Sequence, residues 1–197
     1  MKTLIAAFAL FVAALPAVAE RLSLPALSAY LNTITQAEAR FTQENADGSR
    51  LTGTVYIKRP GRIRFEYDPP QADTLVLASG GQIAVFDGRA SGVPEQFPLR
   101  RTPLGIILAR DIDLTRARMV TGHGMDGGRT VVQAQDPDNP DYGRIYLYFD
   151  HDPVRLSEWL IVSGTGEQTR TRLQPFQPRD DLGDMMFSIP FEAQARQ

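Results

Sequence analysis

Beyond residue 36 the chain alternates. In "KRPGRIRFEYDPP", Lys58 to Pro70, the apolar residues Ile63, Phe65 and Tyr67 fall on one side of a strand. Arg62, Arg64 and Glu66 fall on the other. Successive side chains of a strand point to opposite faces, so this pattern specifies a strand with one buried face and one wet face. The alternation recurs over 37–44, 51–58, 73–79 and 82–87, then over 115–121, 129–135, 143–149, 154–163 and 167–174. Turn chemistry separates the early runs: Asp47-Gly48, Pro60-Gly61, Pro69-Pro70, Gly80-Gly81 and Asp87-Gly88. Connections this short join antiparallel neighbours. About ten strands in one domain require a closed barrel, a sandwich, or a curved sheet wrapped round something.

Two further patterns bear on that choice. Ile145, Leu147 and Phe149 alternate with Tyr146 and Tyr148, and Trp159 and Ile161 with Leu160 and Val162. These strands are apolar on both faces, unlike an antiparallel sheet with one wet face, so helices or a ligand must cover the second face. Two helical segments are available. Ser23 can cap a helix with Pro25 in its first turn, and Leu24, Leu27, Leu31 and Ile34 repeat at helical spacing. In "PLRRTPLGIILAR", residues 98–110, Pro103 can start a short helix that Leu104, Ile106, Ile107 and Leu108 make apolar nearly all round. Such a helix either plugs a barrel end or forms a lid over a hydrophobic cavity.

The first nineteen residues have the form of a secretory signal peptide. Lys2 is a positive start, Leu4 to Leu15 is apolar, and Ala17-Val18-Ala19 is a small-residue cleavage site. The expectation is one exported domain over 20–197, in the periplasm. The chain has no cysteine, hence neither a disulfide framework nor a lipid-acceptor thiol. A net charge of −2 does not suit a nucleic-acid binder, and no polybasic segment marks a membrane surface.

Catalytic chemistry finds little support. The two histidines, His123 and His151, lie in separate loops outside any zinc pattern. "DPDNPD" at 136–141 lacks the glycine and terminal glutamate of a calcium loop and suits an ordinary turn. "GHGMDG" at 122–127 has the spacing of a dinucleotide fingerprint, but the strand "RTVVQAQ" follows it where a helix is required; it is expected to be a hairpin loop. There is no G-x-S-x-G elbow, and carboxylate pairs such as Asp111/Asp113 lie in solvated loops. The chain is therefore expected to be no enzyme and to need no metal and no cofactor.

Four motifs in order, "FTQ" at 41–43, "KRPGRIRFEYDPP" at 58–70, "LVLASGGQIAVFD" at 75–87 and "TPLGIILAR" at 102–110, resemble the LolA family of periplasmic carriers of outer-membrane lipoproteins. The resemblance implies a mainly β fold with helices (α+β): an incomplete antiparallel β-barrel of about ten to eleven strands, with a helical lid over a hydrophobic cavity. It implies a cavity wall for acyl chains, here Phe41, Ile63, Phe65, Tyr67, Leu75 and Leu77. Leu104, Ile106, Ile107 and Leu108 would form the lid. The arginine of the family's Lys-Arg-Pro turn corresponds to Arg59, implied to hold the lid closed. The family pattern usually has an aromatic at the position of Ile63 and a tryptophan at that of Phe65; both stay apolar here. The implied partners are lipoproteins, an inner-membrane LolCDE-type transporter and an outer-membrane LolB-type receptor, with the carrier a monomer. LolB shares the fold but is anchored through a cysteine that this chain lacks. A lipid- or lipoprotein-sensing regulator with the same half-barrel is the alternative, though it would usually carry a second domain.

Overall fold

The computed structural model describes residues 20–88, 93–102 and 104–196. The signal-peptide segment and Pro103, the expected start of the lid helix, lie outside the described residues. Helix α1 spans Leu24–Thr33; Ser23 caps it by accepting from Ala26 N, and Leu27 and Leu31 are buried. Five strands follow in order: β1 Gln36–Glu44, β2 Arg50–Lys58, β3 Arg62–Tyr67, β4 Leu75–Ser79 and β5 Gln82–Phe86. Strand β6, Glu95–Pro98, runs into a 3-10 turn at Leu99–Arg101 and then α2, Leu104–Ile107. Next come β7 Val120–Asp126, β8 Arg129–Gln135, β9 Arg144–His151, β10 Val154–Val162, β11 Gln168–Leu173 and β12 Gln177–Pro178. A 3-10 turn at Asp184–Phe187 and α3, Ile189–Ala195, complete the described chain.

All strand pairs are antiparallel, in the order β6-β5-β4-β3-β2-β1-β11-β10-β9-β8-β7, with β12 continuing beside β1. The two ends of this order, β6 and β7, do not pair with each other, so the barrel is open. Cross-strand register sets the faces. Phe41 lies opposite Gly53, Phe65 opposite Val55 and Ile63 opposite Ile57, so these side chains share the concave side. Gly53 is required there, because a Cβ would stand 2.7 Å from the Phe41 ring and 2.1 Å from the Glu66 carbonyl.

Three expectations need correction. Residues 115–119 are irregular, and the strand begins at Val120. Most of "GHGMDG" is therefore strand, and only Gly127 and Gly128 make the turn, both at positive φ. β7 pairs on one side only and carries a bulge between Val120 and Gly122; an edge tolerates glycines that a central strand would not. The third correction concerns Leu75 and Leu77. Leu77 lies opposite Arg64 and Leu75 opposite Glu66, which places both on the outer face. There they pack with Phe86, Leu182 and Phe187 in a second cluster beneath the C-terminal segment. They are no part of the concave wall.

On the outer face of β9 and β10, Tyr148 lies opposite Glu158 and Tyr146 opposite Leu160. Arginines lie across this face. The Arg129 guanidinium stands 4.5 Å from the centre of the Tyr148 ring. Arg129, Arg170 and Arg172 all engage the buried Glu158 carboxylate. Long arginine stems cover apolar surface while their heads stay near water, so a strand apolar on both faces needs no second layer here.

Candidate functional site: the concave face and its lid

The concave side gathers the main hydrophobic cluster. Phe41, Ile63 and Phe65 are buried, and Tyr67 packs against the cluster half-buried. The rings meet edge to face: Phe41 to Phe65 at 5.5 Å, Phe41 to Tyr67 at 5.4 Å, and Phe65 to Trp159 at 6.0 Å between centres. Trp159, on β10, faces Phe65 from the opposite half of the sheet, and alternation alone did not mark it as a partner of the β3 aromatics. Four of the six expected wall residues therefore come together, and Leu75 and Leu77 do not.

Two helical segments close over this surface. Leu27, Leu31 and Ile34 of the α1 region belong to the same cluster, as do Ile106, Ile107 and Leu108; Leu104 packs at its edge. Ile106, Ile107 and Leu108 are each at most 9% exposed there. Burial pushes the Tyr67 phenol up to about 12, while its hydroxyl donates to Gln43 Oε1 at 3.1 Å.

Arg59 joins the two segments. A guanidinium has five N–H donors in a planar fork, and here all are engaged. Nε donates to Ala109 O at 2.9 Å. Nη1 donates to Leu31 O at 2.6 Å and Ile34 O at 3.3 Å. Nη2 donates to Asn32 Oδ1 at 2.8 Å and Arg110 O at 2.8 Å. Leu31 and Asn32 lie at the end of α1 and Ile34 caps it; the Leu31 carbonyl accepts from Ile34 N at 3.2 Å as well as from Arg59, and Asn32 meets Arg59 through its side chain. Ala109 and Arg110 end the lid. Burial lowers the Arg59 pKa and Asp111 works the other way; arginine stays charged throughout the biological range.

The turn itself adds to the junction. Gly61 N donates to Leu108 O at 2.8 Å, from a positive φ of 73° that favours glycine. Asn32 is the functional candidate that the sequence did not reveal. Its Nδ2 donates to Ile112 O at 2.9 Å and its Oδ1 accepts from Ile112 N at 3.1 Å, besides accepting from Arg59. An isolated asparagine near a helix end carries no periodic signal.

The histidines stand on strands β7 and β9, not in loops, and lie beside the start of α1. His123 Nε2 is 2.8 Å from Leu22 O, Leu22 N donates to Thr130 Oγ1 at 2.9 Å, and Thr130 Oγ1 lies 2.9 Å from His151 Nε2. Among the described residues no group of three or more histidine, cysteine or acidic side chains could hold a metal ion. No helix among them is long and apolar enough to cross a membrane.

Comparison with known proteins agrees with this geometry. The family profile described as "Outer membrane lipoprotein carrier protein LolA" matches residues 32–190. A protein of Azotobacter vinelandii named outer-membrane lipoprotein carrier protein is 32% identical over 164 residues, covering 78% of this chain and 77% of its own length. One of the same name from Alkalilimnicola ehrlichii is 28% identical over 197 residues, covering 93% and 88%. Among solved structures, a putative outer membrane lipoprotein-sorting protein domain from Vibrio parahaemolyticus has a TM-score of 0.50 at 11% identity, covering 86% of this chain and 97% of its own, which is a likeness of fold. An open half-barrel, an arginine bonded to both helical segments, and a profile spanning most of the sequence agree: the chain belongs to the LolA family.

Proposed function

We propose that this protein is a periplasmic carrier that holds the acyl chains of lipoproteins against its concave face. It receives them from an inner-membrane transporter of the LolCDE type and delivers them to an outer-membrane receptor of the LolB type. It acts by binding, not by catalysis. The observation that carries this reading is the Arg59 junction. All five partners of the guanidinium are neutral oxygens, so opening the lid breaks no ion pair and exposes groups that water can satisfy. A fastening of this kind is secure but reversible. Beneath it lies apolar surface whose closure is worth about 0.8 kcal/mol per buried methylene. Acyl chains can replace the lid side chains there with little net change in buried area. Arg59 then stabilises the closed, unloaded state, and re-forming its bonds drives the cargo out.

The test is displacement. A hydrophobic fluorescent probe should bind the purified protein, and a lipidated peptide should displace it. Equal displacement by the same peptide without its lipid would overturn the carrier reading.

A further inference from the structure

A second feature stands at the rim of the concave face, where Phe97 lies opposite Ile83 and extends the row of Ile63 and Ala78. At the open edge of the barrel, Phe97 and Pro98 of β6 face Tyr142 of the β8–β9 loop across an apolar groove of about 350 Å³ that also includes Arg101 and Thr102. Phe97 is 43% exposed and Tyr142 52%, so both rings offer apolar surface to the groove. A polar recess of about 350 Å³ adjoins it, and Arg101 lines both. Arg100 and Arg118 line the recess together with Asp136 and Asp138.

The charges there do not cancel. Asp136 accepts from Asp138 N at 2.9 Å and from Asn139 Nδ2 at 3.1 Å, and is buried. Asp138 is paired with Arg118 at 3.4 Å. Arg101 spans the seam, donating to the Tyr142 hydroxyl at 3.3 Å and lying 5.7 Å from its ring centre. Arg100 is exposed and has no side-chain partner among the described residues. Arg100 and Arg101 are thus adjacent cations with donors to spare, beside an apolar slot.

We propose that the groove and the recess form one binding site for a phosphate-headed amphiphile, the chemistry of a phospholipid. One acyl chain lies between Phe97 and Tyr142, and the phosphate meets Arg100 and Arg101. The groove volume falls in the usual range of small-ligand sites, about 300–1,000 Å³. Two guanidinium forks suit a phosphate, with its several acceptor oxygens, better than a carboxylate. The site lies at the rim of the concave face, where Phe97 stands on the same side of the sheet as Ile83 and Ile63.

Titration calorimetry of the full mature chain with dodecyl phosphate, below its micelle concentration, tests this. Saturable binding is expected, with dodecyltrimethylammonium failing to compete and dodecanoate binding more weakly. Arg100→Glu should weaken dodecyl phosphate by at least about tenfold, or about 1.4 kcal/mol. It should leave lipidated-peptide loading unchanged, because that cargo brings no phosphate to the arginines. Phe97→Ser should weaken the phosphate and carboxylate amphiphiles alike. Because Arg100 and Phe97 are both exposed, these variants should keep the unfolding midpoint. The proposal fails if Arg100→Glu binds dodecyl phosphate as the parent does. It also fails if the cationic amphiphile competes, or if dodecanoate binds as tightly.

Discussion

At the scale of single residues the account rests on Arg59. Its five bonds join the end of α1 to Ala109 and Arg110. Hydrogen bonds to a charged group contribute about 1.5–3 kcal/mol each when buried and less where water can replace them. Even a few kcal/mol shifts a two-state balance by orders of magnitude. Arg59→Leu should therefore fold and accept lipoprotein but pass it poorly to a receptor, in a transfer assay with purified components. Arg59→Lys should be intermediate, since an ammonium cannot reproduce the planar fork. Normal transfer by Arg59→Leu would remove Arg59 from the mechanism. Tyr67 reports on the wall itself. Its pKa is raised to about 12 by burial, so its contribution to stability is complete below the unfolded value of about 10 and is lost as pH rises through about 12. Ultraviolet titration of the protein should show a phenol ionising at about 12 that Tyr67→Phe removes, while Tyr30, Tyr56 and Tyr148 are also raised by burial. Arg59 could be found from the sequence because a distinctive Lys-Arg-Pro-Gly turn carries it. Asn32 could not, because its importance lies in bonds to Ile112 and Arg59, far away in the chain.

At the scale of elements, the two faces of the sheet have different tasks. The concave face of β3 presents Ile63, Phe65 and Tyr67 to the lid. The outer face of β4 presents Leu75 and Leu77 to Leu182 and Phe187. The C-terminal segment is fastened there by Lys58 and Arg62, each 2.6 Å from Asp184, and by Arg64, 2.6 Å from Glu192. Period two was legible in β1 to β5, but which side of β4 faced the lid was not. That is decided by the register between β3 and β4, and nothing in β4 alone records it. The difference can be measured. Leu77→Ala should cost about 2–5 kcal/mol of stability in denaturant unfolding and leave acyl binding unchanged at moderate temperature. Phe65→Ala, at about 3–5 kcal/mol, should change both stability and acyl affinity. Loss of acyl affinity in Leu77→Ala without unfolding would return that face to the binding surface. Strand β7 was misplaced for a related reason: its glycines signal a loop locally, and only the ladder with β8 makes them a strand.

At the scale of the whole molecule, the longer strands, the early helix and the short apolar helix were readable, because each has a strong period or an unusual run of apolar residues; the short β6 and the two-residue β12 were not. Closure was not. Alternation allowed a barrel, a sandwich or a curved sheet, and only the unpaired edges at β6 and β7 show an open barrel. That openness leaves the concave face reachable when the lid moves. The chain offers a direct probe of that face. Trp159 is the only tryptophan, is 2% exposed, and stands 6.0 Å from Phe65. A lipidated peptide with bromine in the middle of its acyl chains should quench Trp159 fluorescence in proportion to loading, and the unbrominated peptide should not. Tight binding of the brominated peptide with Trp159 unquenched would mean that the acyl chains lie elsewhere, and would contradict the account.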